Sequence, residues 1–275
     1  MRNGHFKRAS LGLLLCVALL VSGCNMQAKY QRTVRLSAPM SPGSTFTAQT
    51  HNGYIKTDGA DVADCNMVAT ITARAATEEE AQELAEKVEI SLEPSGDGLT
   101  ARIKKPTPLI NKSVGVSLDV TVPGRANLEL VTHNGSVAVA DITGNVRATT
   151  HNGKVTTQRV SGSTVLETHN GAISVRQTSG DAKLKTHNGS VKAFYGESAP
   201  SDSDISIVTH NGSIELEAPP DLSARIEAST NNGSIKTDLP ITISGKFSKN
   251  RLAGTIGSGQ GKLYLETHNG SIRLR

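Results

Sequence analysis

Thr150-His151-Asn152-Gly153, Thr168-His169-Asn170-Gly171 and Thr186-His187-Asn188-Gly189 follow one another at intervals of 18 residues, and this interval decides the fold. The same four residues stand at Thr50-His51-Asn52-Gly53, Thr132-His133-Asn134-Gly135, Thr209-His210-Asn211-Gly212 and Thr267-His268-Asn269-Gly270, with a variant at Thr230-Asn231-Asn232-Gly233. A fixed period identifies a repeat architecture before any single element is assigned. The wider gaps between some copies mark insertions that lengthen a unit and leave its motif intact.

The flanks alternate with the period of two expected of half-buried strands. Before the motif, Leu128/Leu130, Val146/Ala148, Leu166, Leu184, Ile205/Ile207, Ile226/Ala228 and Leu263/Leu265 share the parity of the motif Thr and form the inward face. Glu129, Arg147, Glu167, Lys183, Lys185, Glu227 and Glu266 occupy the other parity, and the motif His falls with them. After the Gly, Val137/Val139, Val155, Ile173/Val175, Val191, Ile214/Leu216 and Ile272/Leu274 face inward again. Each unit therefore reads as strand, Asn-Gly corner, strand, and a second corner such as Thr143-Gly144-Asn145, Ser161-Gly162 or Ser179-Gly180. Asn-Gly is expected to turn the chain by tolerating positive φ.

Two topologies fit. Stacked coils would give a parallel β-solenoid with each motif residue about 4.8 Å above its equivalent. Two-residue hairpins would give an antiparallel β-meander instead. A four-residue corner repeated whole, with inward Thr and Asn, favours the solenoid of about eight units, because a hairpin has no need of Thr and His at every copy. The composition agrees: no Trp, 3% aromatic residues and 26 Gly leave the core to small aliphatic layers.

Thr77-Glu78-Glu79-Glu80 is a capping box, and Ala81, Leu84, Ala85 and Val88 follow at helical spacing, so residues 77–89 are predicted to form one amphipathic helix covering a sheet edge or flank. Segments 99–104 and 114–122 read as strands, and 241–256 as an inserted hairpin. The single body is expected over residues 37–275.

The first 23 residues are laid out as an export signal: Arg2, Lys7 and Arg8 precede the apolar run Leu11–Val21, which is too short to span a bilayer. Val21-Ser22-Gly23-Cys24 resembles the bacterial lipobox, so Cys24 is expected to be lipidated and to become the mature N-terminus, with residues 24–36 as a short tether. Removing the three basic residues with the signal lowers the formal charge from +4 to +1, and no Lys/Arg cluster is interleaved with aromatics, which argues against nucleic acid. Cys65 is then the one free thiol of the mature chain and reads as a buried small apolar residue.

All seven histidines of the mature chain lie in the motif. A strip of imidazoles about 4.8 Å apart could share a transition ion. The favoured reading is a solvent-facing corner residue copied by duplication, because Asn231 replaces His and no carboxylate or Cys accompanies it at fixed spacing. No metal or other cofactor is expected. Asn134, Asn188, Asn211, Asn232 and Asn269 head Asn-Gly-Ser triplets, which in this bacterial setting read as an amide ladder rather than as glycan acceptors. No Ser-His-Asp set, recurrent carboxylate pair or metal-ligand spacing is found, so catalysis is not expected; a carbohydrate-active β-helix enzyme is a minor alternative.

Taken together, the Thr-x-Asn-Gly-Ser-Ile/Val units, the Glu-rich helix, the closing unit Leu263–Arg275 and the lipobox resemble the bacterial "putative-adhesin domain" family, over about residues 37–275. The resemblance implies a right-handed β-helical body in the cell envelope and a function that the family leaves largely unassigned. It points to a surface protein meeting a glycan or protein partner, with an envelope-internal structural or regulatory lipoprotein as the alternative. Asn25 after Cys24 does not match an inner-membrane retention signal, which in a diderm bacterium leans toward the outer membrane.

Overall fold

The computed structural model describes residues 27–107, 109–243 and 248–275; the signal segment and Cys24 lie outside them. In chain order the elements are β1 (Ala28–Pro39), β2 (Thr45–Gln49), β3 (Ile55–Ala60), β4 (Asp64–Ala75), α1 (Glu78–Glu86), β5 (Glu89–Ser95), β6 (Gly98–Lys104), β7 (Ser113–Pro123), β8 (Asn127–Val131) and β9 (Val137–Ile142). They continue with β10 (Val146–Asn152), β11 (Val155–Val160), β12 (Thr164–Asn170), β13 (Ile173–Thr178), β14 (Ala182–Asn188), β15 (Val191–Tyr195), β16 (Ile205–Asn211) and β17 (Ile214–Glu217). The last are β18 (Ala224–Asn232), β19 (Ile235–Thr237), β20 (Ile241–Ile243), β21 (Arg251–Ile256), β22 (Gly261–Asn269) and β23 (Ile272–Leu274).

The Asn-Gly corner makes no hairpin. Strand β10 passes through the corner into β11, yet pairs in parallel with β8 and β12, so that Leu166 faces Ala148 on one side and Leu184 on the other. β11 likewise pairs in parallel with β9 and β13. Each unit contributes its first strand to one sheet and its second strand to another, which makes a two-sheeted β-solenoid and rules out the meander. The sheets have orders β1-β4-β7-β3-β9-β11-β13-β15-β17-β23-β19 and β20-β21-β18-β22-β16-β14-β12-β10-β8-β2-β6-β5. Between them lie the alternating apolar residues read from the sequence, with Leu130, Leu166, Ile207 and Leu265 fully buried and Leu184 1% exposed.

The eight coils do not stack in sequence order. The C-terminal pair β22/β23 lies between the β16/β17 coil and the β18/β19 coil. The predicted late hairpin forms as β20 and β21, antiparallel to each other, and β21 covers the outer edge of β18.

At the other end, β7 extends one sheet in parallel with β3 before β4 and β1 add antiparallel strands, and β6 extends the other in parallel with β2 before β5 adds an antiparallel one. The helix is shorter than the 77–89 expected. The Thr77 half of its capping box forms, the hydroxyl accepting from the Glu80 N–H at 3.2 Å, while the Glu80 carboxylate pairs with Lys112 at 3.3 Å. Ala81, Leu84 and Ala85 are buried against β1 and β4, and the Arg32 guanidinium donates to the Ala85 carbonyl at 3.0 Å, satisfying the helix C-terminus. Among the described residues no helix is long and apolar enough to cross a membrane.

Two expectations need correcting. Most of the tether 24–36 is strand: Ala28 already pairs with Ala75, and Tyr30, Val34 and Leu36 pack on the core from between Lys29, Arg32 and Arg35. Those interspersed charges mask the alternation. Nor does positive φ shape the motif corners, where Gly53 alone takes it, at 144°. Left-handed residues stand instead near the second corners, at Asp141, Arg159 and Gln177.

Candidate functional site

The motif residues have separate duties, each visible in the stacking. The Thr side chain points inward and its hydroxyl donates to the corner Gly carbonyl of the adjacent coil: Thr132 to Gly53 at 2.9 Å, Thr150 to Gly135 at 2.8 Å, Thr168 to Gly153 at 3.0 Å and Thr186 to Gly171 at 2.8 Å. Thr209, Thr267 and Thr230 repeat the bond to Gly189, Gly212 and Gly270. A buried hydroxyl is thereby satisfied at seven coils, and in the first coil Thr50 donates instead to the Val116 carbonyl at 2.8 Å. The Gly is required by the same approach, since a Cβ on Gly153 would lie 1.9 Å from the Gly135 oxygen. This close approach, rather than left-handed backbone, excludes side chains there.

Asn supplies the expected amide ladder. Asn134 donates to Asn52, Asn152 to Asn134, Asn170 to Asn152, Asn188 to Asn170 and Asn211 to Asn188, all within 2.7–2.8 Å. Asn269 donates to Asn211 and Asn232 to Asn269, each at 2.7 Å. The amides do not face inward as alternation had suggested; the corner interrupts the pleat and leaves most of them exposed.

The histidines form a single outward column. Rings of His51, His133, His151, His169, His187, His210 and His268 stack in that order with centroids 4.7–4.8 Å apart. Asn231 closes the column on the outermost coil, its amide 2.8 Å from the His268 Nδ1. The variant thus sits at an end, where it breaks no stack. His133 and His151 are parallel to within 3° with centroids 4.8 Å apart, so their nitrogen lone pairs lie in separate parallel planes rather than converging at the roughly 2.0–2.1 Å a transition ion needs. Among the described residues no group of three or more His, Cys, Asp or Glu side chains is placed to hold a metal ion.

Beside the column runs a groove of about 1180 Å³, lined by the imidazoles and by the outward residue before each motif Thr, including Gln49, Val131, Thr149, Glu167, Lys185 and Glu266. Its charges are mixed, and Lys185 reaches Glu167 at 3.7 Å. Arg102 and Lys105 line the groove at its first-coil end, two residues that the repeat does not mark because β6 and the residue after it lie outside the motif. The Lys105 ammonium, half-buried and donating to the Val114 carbonyl at 3.3 Å, is held below the usual lysine range by desolvation. His187 is also lowered, first by desolvation and then by repulsion from His169, His210 and Lys185.

A second ladder escaped the reading. Asn127 accepts from the Asn145 N–H at 2.9 Å, Asn145 from that of Ser163 at 3.0 Å, and Asp181 from that of Asp204 at 2.9 Å. All stand five positions before a motif Thr, an offset the sequence displays. Cys65 lies elsewhere, fully buried, its thiol pushed up to about 12 by desolvation, which leaves it unreactive.

The profile of the family described as Toastrack DUF4097 matches residues 102–275, in keeping with the resemblance read from the repeats. A "putative cell adhesion protein" of Clostridium sporogenes is similar in structure at 11% identity, covering 88% of this chain and 99% of its own, with a TM-score of 0.37. A "putative adhesin" of Bacteroides fragilis is similar at 11% identity, covering 89% and 97%, with a TM-score of 0.36. Among curated proteins none matches.

Proposed function

The chain belongs to the Toastrack DUF4097 family, and from that premise we propose that it is a non-enzymatic interaction protein, held in the bacterial cell envelope by a lipid on Cys24. The observation that carries the reading is the continuous strip of imidazoles and its groove, which runs from His51 to His268. Such a strip offers ring edges and side chains at a regular pitch along one face, the surface that an elongated glycan or protein segment would meet.

The arrangement argues against hydrolysis. Glu167 on β12 and Glu266 on β22 are the groove's carboxylates, and three strand spacings separate them, roughly 14 Å. Paired carboxylates of glycoside hydrolysis stand about 5–9.5 Å apart. Nor does a nucleophile stand with a base and an orienting group, since the one imidazole hydrogen bond of the column among the described residues runs between His268 and Asn231.

Labelling of intact cells tests the reading. Antibody against the β body should bind cells that make the wild type, while Cys24→Ser should leave the chain unprocessed or move it to the soluble fraction, because stable attachment needs acyl chains. Labelling that requires opening the envelope would overturn the surface role in favour of the internal structural one. A Cys24→Ser chain that still partitions with membranes after signal removal would overturn the lipid anchor.

A further inference from the structure

The C-terminal coil sits in a slot. Strand β22 has β16 on one side and β18 on the other, and β23 has β17 and β19, although β18 to β21 come earlier in the chain. Simple coil-by-coil stacking from the N-terminus cannot give this order. The β18/β19 coil with β21 on its edge must stand away from the β16/β17 coil, as an open flap, until residues 261–275 lie between them.

The contacts that line the slot are those of every other coil. Thr267 donates to the Gly212 carbonyl and Thr230 to that of Gly270, both at 2.8 Å. Asn269 bridges Asn211 and Asn232, and His268 stacks on His210. Leu263, Leu265, Ile272 and Leu274 are buried to 1% exposure or less. Nothing in these contacts distinguishes a segment of the same chain from an identical segment of another; only the link 257–260 does.

That link is short and tightly held. It passes over the end of β18, where Ala224 pairs with Ile256 on one side and Gly261 on the other, a crossing of two strand spacings or about 9.6 Å. The Ser223 hydroxyl, buried, accepts from the N–H groups of Ser258 at 3.1 Å and Gln260 at 3.4 Å, and the Gly261 N–H donates to the Ser223 carbonyl at 2.8 Å. Gly257 and Gly259 take left-handed φ of 56° and 73° to follow this path. A short, bent hinge joined to a segment whose contacts are copy-independent is the arrangement that favours segment exchange, and reciprocal exchange closes a symmetric dimer.

We propose that the slot between the β16/β17 and β18/β19 coils is an acceptor site for the C-terminal coil of a second copy of this chain, so that two copies pair by exchanging residues 261–275. The flap opens in both copies, the link straightens, and each slot is refilled with the same bonds.

Two full-length copies with different tags, one carrying His210→Cys and the other His268→Cys, are co-expressed and resolved without reductant. Neighbouring strands at this spacing allow a disulfide, so exchange yields a cross-linked pair bearing both tags. Inserting eight Gly and Ser residues after Gly259 relaxes the link and should cut that product at least tenfold. No mixed product, where one chain carrying both substitutions closes its own disulfide, would overturn the proposal. Light scattering of the unmodified chain gives an independent readout: dimers that revert to monomers with the longer link support it, and monomers at every concentration overturn it.

Discussion

The Thr168 hydroxyl donates to the Gly153 carbonyl of the adjacent coil at 3.0 Å, and that same oxygen stands 1.9 Å from where a Cβ on Gly171 would lie. Thr and Gly of one motif thus close around a single atom of the neighbouring one, and neither can be exchanged without disturbing the coil spacing. Gly171→Ala should lower stability by about 2–3 kcal/mol through overpacking. Thr168→Val should cost about 1–2 kcal/mol by leaving the carbonyl unpaired, while Thr168→Ser keeps most of it. Urea denaturation of the three variants checks the order.

This relationship also marks what the sequence displayed. Spacing and parity fixed the inward residues, because burial on a strand has a period of two and Leu166, Leu184 and Ile207 obey it. The reason for Thr and Gly stayed hidden, since Thr168 and Gly153 meet only after coils stack. The position of the last coil was equally invisible: Thr267 to Gly270 repeats the motif without recording which neighbours it takes. The groove could be anticipated along the histidines but not at Arg102 and Lys105, which reach it by way of a non-repeating strand.

Leu184 faces Leu166 and Ile207 within the inner layer and is 1% exposed. Leu184→Asp places a charge there with no partner, a cost of several kcal/mol against a total of about 5–15. Since each coil is buried only by its neighbours, the loss should spread along the array. Circular dichroism melts should show an unfolded or much less stable chain, whereas exposed Lys183→Gln should shift stability by no more than about 0.5 kcal/mol. An unchanged melt for Leu184→Asp would remove the inward assignment.

Thr57 and Thr157 are fully buried on the inner face, and their hydroxyls have no partner among the described residues. Thr157 is flanked by Val139 and Val175, so a valine there meets apolar neighbours on both sides. Thr157→Val is expected to raise stability by about 1 kcal/mol, by removing an unsatisfied buried group. Thr178 serves as the contrast, because its hydroxyl donates to the Val160 carbonyl at 3.1 Å and Thr178→Val should be destabilising. Thermal unfolding of both variants decides the matter, and a destabilised Thr157→Val would show that its hydroxyl is paired after all.

His187 stands between His169 and His210, each ring 4.8 Å away, with the Lys185 ammonium two residues before it and Glu167 on the strand beyond. Its neighbours desolvate it first of all, and repulsion from a charged His169, His210 or Lys185 adds to the effect, so it should titrate below the ordinary value of about 6.5. The sign follows from proton counting. A base whose folded value is depressed binds fewer protons folded than unfolded, so its penalty is absent above pH 6.5 and grows as pH falls through that value toward the folded one. Stability should therefore decline between about pH 7 and 5. Lys185→Gln, and more so His169→Asn combined with His210→Asn, should move the His187 midpoint upward and flatten that decline. Imidazole NMR titration reads the midpoint and urea melts at several pH values read the stability; a His187 midpoint at or above 6.5, unmoved by the flanking substitutions, would show that stacking leaves the column electrostatically uncoupled.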